Sequence, residues 1–303
     1  MKIIVTGGTG FVGSSLVPAL IADGHHVVVL SRNPDSARGQ MPSAVPLVEW
    51  DAKTLGAWAD EVDGADAVLN YVGESIGGKR WSSSQKERLI ASRIGATKAL
   101  VTAIERAKKR PSVLVSASAV GYYGNVESGD VPESHPPGSD FLAQLCVQWE
   151  AATRAAEPLG VRVVTTRTGV ILGKGGALTR MLLPFKLFFG GPLGSGRQWF
   201  PWVHMEDVVG AIIFAMTNSK ITGPVNVAGP EAVTMREFCT ALGRAMRRPS
   251  WAPVPSFVLQ IALGEMSSMI LTGQKVVPAK LLRLGYSFKY PRVAEALAAT
   301  VRS

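Results

Sequence analysis

The run Thr6-Gly7-Gly8-Thr9-Gly10-Phe11-Val12-Gly13 lies between an apolar β-type segment, Lys2 to Thr6, and an amphipathic helical segment, Phe11 to Ala22. A strand, a tight glycine turn and a helix start, in that order, make a seat for the pyrophosphate of a dinucleotide. The first helical turn has main-chain N–H groups with no partner inside the helix, and the helix dipole adds positive potential there. Gly7 or Gly8 permits the turn, Gly10 lets the backbone approach the phosphates, and Gly13 lets helix and strand pack closely. Two templates fit at once: Gly7, Gly10 and Gly13 give G-x-x-G-x-x-G, and Gly8, Gly10 and Gly13 give G-x-G-x-x-G. Either spacing alone is weak, and the strand before and helix after give it weight.

The turn Asp23-Gly24 leads to a second strand, His26 to Ser31, whose end selects the cofactor. An acidic residue about 20 positions beyond the glycines would accept from a ribose 2′-OH and repel a 2′-phosphate. Ser31-Arg32 stands there instead. A guanidinium grips phosphate as a fork and stacks on adenine, so NADP is expected in preference to NAD.

Further β-type runs occur at Leu47 to Trp50, Asp66 to Gly73, Ser112 to Ser118 and Val161 to Arg167, with helical segments around Leu55 to Val62, Trp81 to Arg110 and Ser139 to Glu157. Ser82 to Ser84 supply a start for the second of these helices. This alternation predicts a doubly wound parallel sheet, and the C-terminal strand ends, including Asn70 to Glu74, border the ligand crevice.

At 303 residues, 47% hydrophobic and 18% charged, the chain can bury a large core. Cys146 and Cys239 are far apart and outside any C-x-x-C pattern, so neither a disulfide framework nor a metal site is expected. With no leader before the first strand, a cytoplasmic location is expected. The apolar stretches Met181 to Phe189 and Phe257 to Leu271 are too short or too polar to span a bilayer and read as buried or pocket-lining. The net charge of +9 gathers partly at Arg106 to Arg110 and Arg244 to Arg248, before Pro111 and Pro249, where cations complement helix C-termini. Neither cluster is interleaved with aromatics, so the expected partner is a small molecule and not nucleic acid or membrane, with a homodimer compatible with these features.

Taken together, these residues resemble the extended short-chain dehydrogenase/reductase class, the sugar-nucleotide epimerases and dehydratases. Thr6 to Gly13 match its T-G-x-x-G-x-x-G, and Gly194 to Gln198 and Val203 to Asp207 match its G-x-G-x-Q and V-H-x-x-D blocks. More closely, the chain is similar to an atypical branch, the epimerase family proteins of the SDR39U type. That likeness rests on Ser31-Arg32, Asn70 to Glu74, Gly121 to Gly124, Trp149-Glu150, Gly190 to Pro192, Phe200 to His204 and Gly273 to Pro278. The resemblance implies a doubly wound parallel Rossmann sheet with a smaller interleaved C-terminal substrate lobe. The Rossmann part would be residues 1–171 and about 204–229, with Val225 to Gly229 returning to the sheet, and the lobe about 172–203 and 230–303. It also implies cofactor contacts at Gly7, Thr9, Gly10, Phe11, Val12, Gly13, Ser31, Arg32, Tyr71, Val72, Arg93 and Ile171.

Hydride chemistry in the class rests on Ser plus Tyr-x-x-x-Lys, the lysine lowering the tyrosine pKa from near 10. Counting back from Trp149-Glu150 puts Leu142 and Cys146 at the Tyr and Lys places, and neither can do that work. Ser118 remains, with Tyr122 as an alternative acid, beside the reading that Tyr122-Tyr123 is a packed turn. The Arg-Asp pair that often precedes Phe-Val-His is replaced by Phe200-Pro201-Trp202, so the anion clamp for a sugar diphosphate is missing. Phe185, Phe188, Phe189, Trp199, Phe200 and Trp202 then line an apolar pocket or form lobe core. Two functions follow: an NADP-dependent oxidoreductase or epimerase-like enzyme on a small apolar carbonyl or alcohol, or a catalytically silent NADP-binding regulator or scaffold.

Overall fold

The computed structural model describes residues 1–302. Its strands are β1 (Lys2–Thr6), β2 (His26–Ser31), β3 (Leu47–Glu49), β4 (Ala67–Asn70), β5 (Val113–Ala119), β6 (Asp130–Val131), β7 (Arg162–Thr168), β8 (Val170–Leu172), β9 (Trp202–His204), β10 (Gly223–Val227) and β11 (Lys275–Val276). Its helices are α1 (Gly13–Ala22), α2 (Pro34–Arg38), α3 (Ser83–Ile90), α4 (Ala96–Arg106), α5 (Phe141–Arg154), α6 (Gly176–Lys186), α7 (Met205–Thr217), α8 (Met235–Met246), α9 (Ser256–Leu263), α10 (Ser268–Leu271), α11 (Ala279–Arg283) and α12 (Val293–Arg302).

Seven strands form one parallel sheet in the order β10-β7-β5-β4-β1-β2-β3. This is a Rossmann sheet, with its strand order reversing between β1 and β4. Both of its faces are covered, which is why the strands read as continuous apolar runs: Ile3 and Val5 pack in one core with α1 and α7, and Ile4 and Val28 in another with α4. After β7 the chain leaves through β8 and α6 and comes back by β9, which pairs with β8, so that α7 can cover the sheet before β10 joins its edge beside β7. A third core is built around Phe185, Phe200, Trp202 and Phe238, away from the two faces of the sheet core, and takes in Val293, Ala296 and Leu297 of α12.

Several boundaries differ from the sequence reading. Helix α1 begins at Gly13, because Phe11 and Val12 form the turn that feeds it. The segment near Trp58 is one 3₁₀ turn, Ala57–Glu61, preceded by Gly56. The long helix expected from Trp81 to Arg110 is α3 and α4 joined by a π-turn, Ala91–Gly95, and it ends at Arg106. Ser82 caps its start, accepting from the Gln85 amide at 3.2 Å.

The apolar stretches are the larger correction, although Phe185 and Met266 within them are buried as expected. Leu183, Leu187, Phe188 and Phe189 are exposed, as are Phe257, Val258, Ile261 and Met269, and no residue of α9 is buried. Apolar composition without a covering element does not make a core position. Among the described residues no helix is long and apolar enough to cross a membrane.

Candidate functional site

The C-terminal ends of β1, β4 and β5 meet at the strand-order reversal, where α/β sheets open their ligand crevice. The glycine loop is fitted there with little clearance. Gly7 has φ +70°, and a Cβ on it would lie 2.4 Å from the Tyr71 carbonyl oxygen at the end of β4. A Cβ on Gly13 would lie 2.2 Å from the Gly7 oxygen, so this glycine lets α1 close on the loop itself and not on the strand. The loop is tied by the Gly10 amide donating to Gly7 O at 2.9 Å, while the amides of Phe11 and Val12 have no partner among the described residues.

At the neighbouring edge, Ser31 Oγ accepts from the Asn33 amide at 3.3 Å, and Arg32 is exposed and makes no hydrogen bond or ion pair among the described residues. The turn after β3 flanks this place, since the Trp50 amide donates to Ser31 O at 2.9 Å. Asp51 there accepts from the Lys53 and Thr54 amides at 2.8 and 2.9 Å and from Thr54 Oγ1 at 2.6 Å, which together hold its carboxyl below the usual range. Ala52 follows at φ +61°, a strained setting for a residue with a side chain.

Tyr71 leads into the crevice from β4, its hydroxyl 3.1 Å from Thr166 Oγ1. Burial raises the phenol well above its ordinary value, against the Thr166 hydrogen bond, so it stays neutral. Val72 packs against the core on the other sheet face. Arg93 sits in the π-turn at 8% exposure and donates to Glu74 O at 2.8 Å and Leu89 O at 3.2 Å. Its guanidinium lies under Gly73, so it supports the Gly73-Glu74 backbone and does not offer its charge to solvent. Ile171 is half-buried in β8, opposite Val203.

Ser118 and Tyr122 come together at the end of β5, in a buried network wider than the sequence indicated. Ser118 Oγ donates to Glu150 Oε1 at 2.7 Å. Arg167 holds the same carboxylate as a fork, Nε to Oε1 and Nη2 to Oε2, both at 2.8 Å. Its Nη1 donates to Tyr123 Oη and to Glu133 O, each at 3.0 Å, and Tyr123 in turn donates to Asn226 Oδ1. Burial works against the Arg167 charge, but the Glu150 carboxylate outweighs it and holds the guanidinium above its ordinary pKa. The Tyr122 ring lies on this guanidinium, 3.4 Å from Cζ to ring centroid, and its hydroxyl has no partner among the described residues.

Leu142 packs below Gly121, and Cys146 is buried with its thiol pushed up to about 12 by burial and by Glu150. Neither is placed to exchange a proton at neutral pH. The six aromatics divide: Phe185, Phe200 and Trp202 belong to the third core, Phe188 and Phe189 are exposed, and half-buried Trp199 donates to Glu127 O at 3.3 Å. The C-terminal segment reaches the site directly. Gln274 Nε2 donates to Val120 O at 2.6 Å, and β11 pairs with β6. The loop after β4 is tied to α6 by Arg180 Nη1 donating to Gly77 O at 2.7 Å, and α3 is tied to the segment after α9 by the Lys86–Glu265 ion pair.

A charged residue inside the apolar run Val161 to Arg167 was the one sequence signal that could have found this network. Its partner Glu150 lies on another element, and periodicity does not pair them.

Comparison with known proteins agrees with this fold. Residues 3–228 match the family model of the NAD dependent epimerase/dehydratase family, and residues 254–300 match a domain of unknown function, DUF1731. The chain is 43% identical to the chloroplastic epimerase family protein SDR39U1 homolog of Arabidopsis thaliana, covering 100% of this chain and 87% of that protein. It is 41% identical to epimerase family protein YfhF of Bacillus subtilis, covering 98% and 97%. The crystal structure of human epimerase family protein SDR39U1 with NADPH superposes with a TM-score of 0.88 at 35% identity, covering 100% of both chains.

Proposed function

The chain belongs to the NAD-dependent epimerase/dehydratase family, and from that premise we propose that it is an NADPH-dependent oxidoreductase or epimerase-like enzyme acting on a small apolar carbonyl or alcohol. The residues fit the cofactor. The glycine cradle has no room for a Cβ at Gly7 or Gly13, the amides of Phe11 and Val12 are unpartnered, and Arg32 presents a free guanidinium beside Ser31. The related human protein crystallised with NADPH supports the same choice. In this reading residues 1–171 and about 204–229 hold the cofactor, and about 172–203 and 230–303 face the substrate.

The observation that carries an enzymatic role is Tyr122, held at the crevice end of β5 by the guanidinium under its ring, with its hydroxyl uncommitted. NADPH supplies a hydride for a carbonyl carbon. Tyr122 gives the matching proton to the carbonyl oxygen, which yields an alcohol. Ser118 has its own proton engaged by Glu150, so it can orient a substrate hydroxyl only by accepting from it. Exposed Leu183 on α6, Leu187 just after it, and Phe257 and Ile261 on α9 supply apolar surface, which suits a substrate lacking a diphosphate.

The test is loss of nicotinamide absorbance in a single turnover with NADPH and a panel of carbonyl compounds. Tyr122→Phe is expected to slow it by about 100-fold or more, the usual range for losing a general acid, with NADPH affinity unchanged. The second reading, a silent NADPH-binding regulator, is favoured by Leu142 and buried Cys146 at the Tyr and Lys places. Tight NADPH binding with no turnover across the panel would decide for it.

Cofactor choice has its own test. Removing one charged clamp on a phosphate costs about 1.5–3 kcal/mol, so Arg32→Ala is expected to weaken NADPH about 10- to 100-fold and leave NADH nearly unaffected. Fluorescence titration with both coenzymes reads this, and equal affinities for the two in wild type would refute the assignment.

A further inference from the structure

A cavity of about 210 Å³ opens beside the start of α1, walled by Phe11 of the turn before it and by Ser14 and Ser15 of its first turn, and its other walls include Lys174, His204, Met205 and Thr300. It adjoins the cofactor crevice and shares one residue with it, Phe11, whose amide belongs to the glycine loop. None of Gly7, Gly8, Gly10 or Gly13 lines it, nor do Ser31, Arg32, Tyr71, Val72, Arg93 or Ile171.

Of the polar residues in its walls, Ser14 donates to Phe11 O at 3.2 Å and Thr300 to Ala296 O at 2.8 Å, which leaves His204, Lys174 and Ser15 as donors for a ligand. His204 is 6% exposed, and its Nδ1 accepts from the Glu206 amide at 3.2 Å. That bond assigns the ring proton to Nε2, which has no partner among the described residues although its side chain is nine-tenths buried. Burial lowers the imidazole pKa against the pull of Glu206 and Asp207, so the ring donates as a neutral group. The Lys174 ammonium and the Ser15 hydroxyl, on two other elements, also have no partner among the described residues. The nearby carboxylates are committed elsewhere: Asp207 accepts from the Lys289 and Tyr290 amides at 2.6 and 3.0 Å, and Glu206 accepts from Lys289 Nζ and Tyr290 Oη.

We propose that this cavity is a second anion site, which binds phosphate or the phosphate end of a small phosphomonoester through His204 Nε2–H, Lys174 and Ser15. Three donors arriving from a helix, a loop and a strand end suit a tetrahedral oxyanion better than a planar carboxylate, which is satisfied in one plane. Phe11 and Met205 would carry the organic part of an ester.

The test is calorimetry on the full chain in chloride buffer, titrated with inorganic phosphate and separately with glycerol 3-phosphate, each with and without excess NADPH. Binding of at least one probe is expected, and tighter binding of glycerol 3-phosphate would assign an ester rather than the free ion. Lys174→Met and Ser15→Ala should each weaken it at least fivefold, while NADPH changes it less than twofold. His204→Asn keeps a side-chain acceptor for the Glu206 amide and removes the Nε2 donor, and it should show the same loss with an unchanged melting temperature. No heat from either probe, or undiminished affinity in Lys174→Met, overturns the proposal. So does disappearance of the heat when NADPH is added, because the anion would then have occupied the cofactor's own phosphate positions.

Discussion

Gly13→Ala is expected to lose NADPH binding by about 100-fold or more while the protein still folds. The added Cβ would stand 2.2 Å from the Gly7 carbonyl oxygen and 2.6 Å from Gly8 Cα. Both are backbone atoms of a loop that is pinned from the other side, since Gly7 itself approaches the Tyr71 carbonyl too closely for any side chain. No rotamer change can relieve the contact, so the loop must move away from α1. Overpacking of this kind costs about 1–3 kcal/mol, and about 2–4 °C in melting temperature per kcal/mol for a domain of this size. The larger effect falls on the ligand, because amides that converge on one pyrophosphate lose their shared aim when the loop moves. Gly95→Ala is the control. Nothing lies within 4 Å of a Cβ at that helical position, and it should match wild type in both measurements or gain slightly in stability. NADPH titration by fluorescence together with thermal melts would settle it, and wild-type affinity in Gly13→Ala would mean that the loop does not seat the cofactor.

What could be read from the sequence, and what could not, divides by the range of the interactions. The glycine loop, the strand that feeds it and the Ser31-Arg32 turn are local features, and each stands where residue spacing put it; β2 matches its expected limits of His26 and Ser31. The π-turn at Ala91–Gly95 escaped because it shifts the helical phase without breaking the helix, so a run of apolar positions continues through it. Arg93, a cofactor contact only by resemblance, lies in this turn and donates to the Glu74 carbonyl under the crevice. α9 escaped for the opposite reason. Its apolar residues have the composition of a core helix, and only the absence of a covering element among the described residues shows that they are exposed. The Glu150–Arg167 pair joins residues 17 apart in sequence, on a helix and a strand, and pairing of that kind is set by tertiary packing alone.

Arg167→Met should be the most destabilising single change away from the glycine loop, at about 3–5 kcal/mol, because it leaves a carboxylate buried with its counter-charge gone. In the folded protein Glu150 is 3% exposed and takes three hydrogen bonds, two from the Arg167 fork and one from Ser118. With the fork removed, only the Ser118 hydroxyl remains to satisfy it. Arg167→Lys keeps the positive charge but not the planar pair of donors, and it should fall between wild type and Met. Glu150→Leu combined with Arg167→Met removes both charges together. It is expected to recover part of the loss, since replacing a buried pair with apolar groups costs less than orphaning one partner. Urea denaturation of these proteins together with the Glu150→Leu single variant closes the double-mutant cycle and gives the coupling. The second readout concerns the site. The guanidinium that neutralises Glu150 is also the surface on which Tyr122 rests, so Arg167→Met should slow NADPH turnover even below its unfolding transition. NADPH affinity should stay within about twofold, because no atom of the network belongs to the glycine cradle. A variant that lost stability but kept wild-type turnover would separate the buried pair from the chemistry and leave Tyr122 without its support in the proposed mechanism.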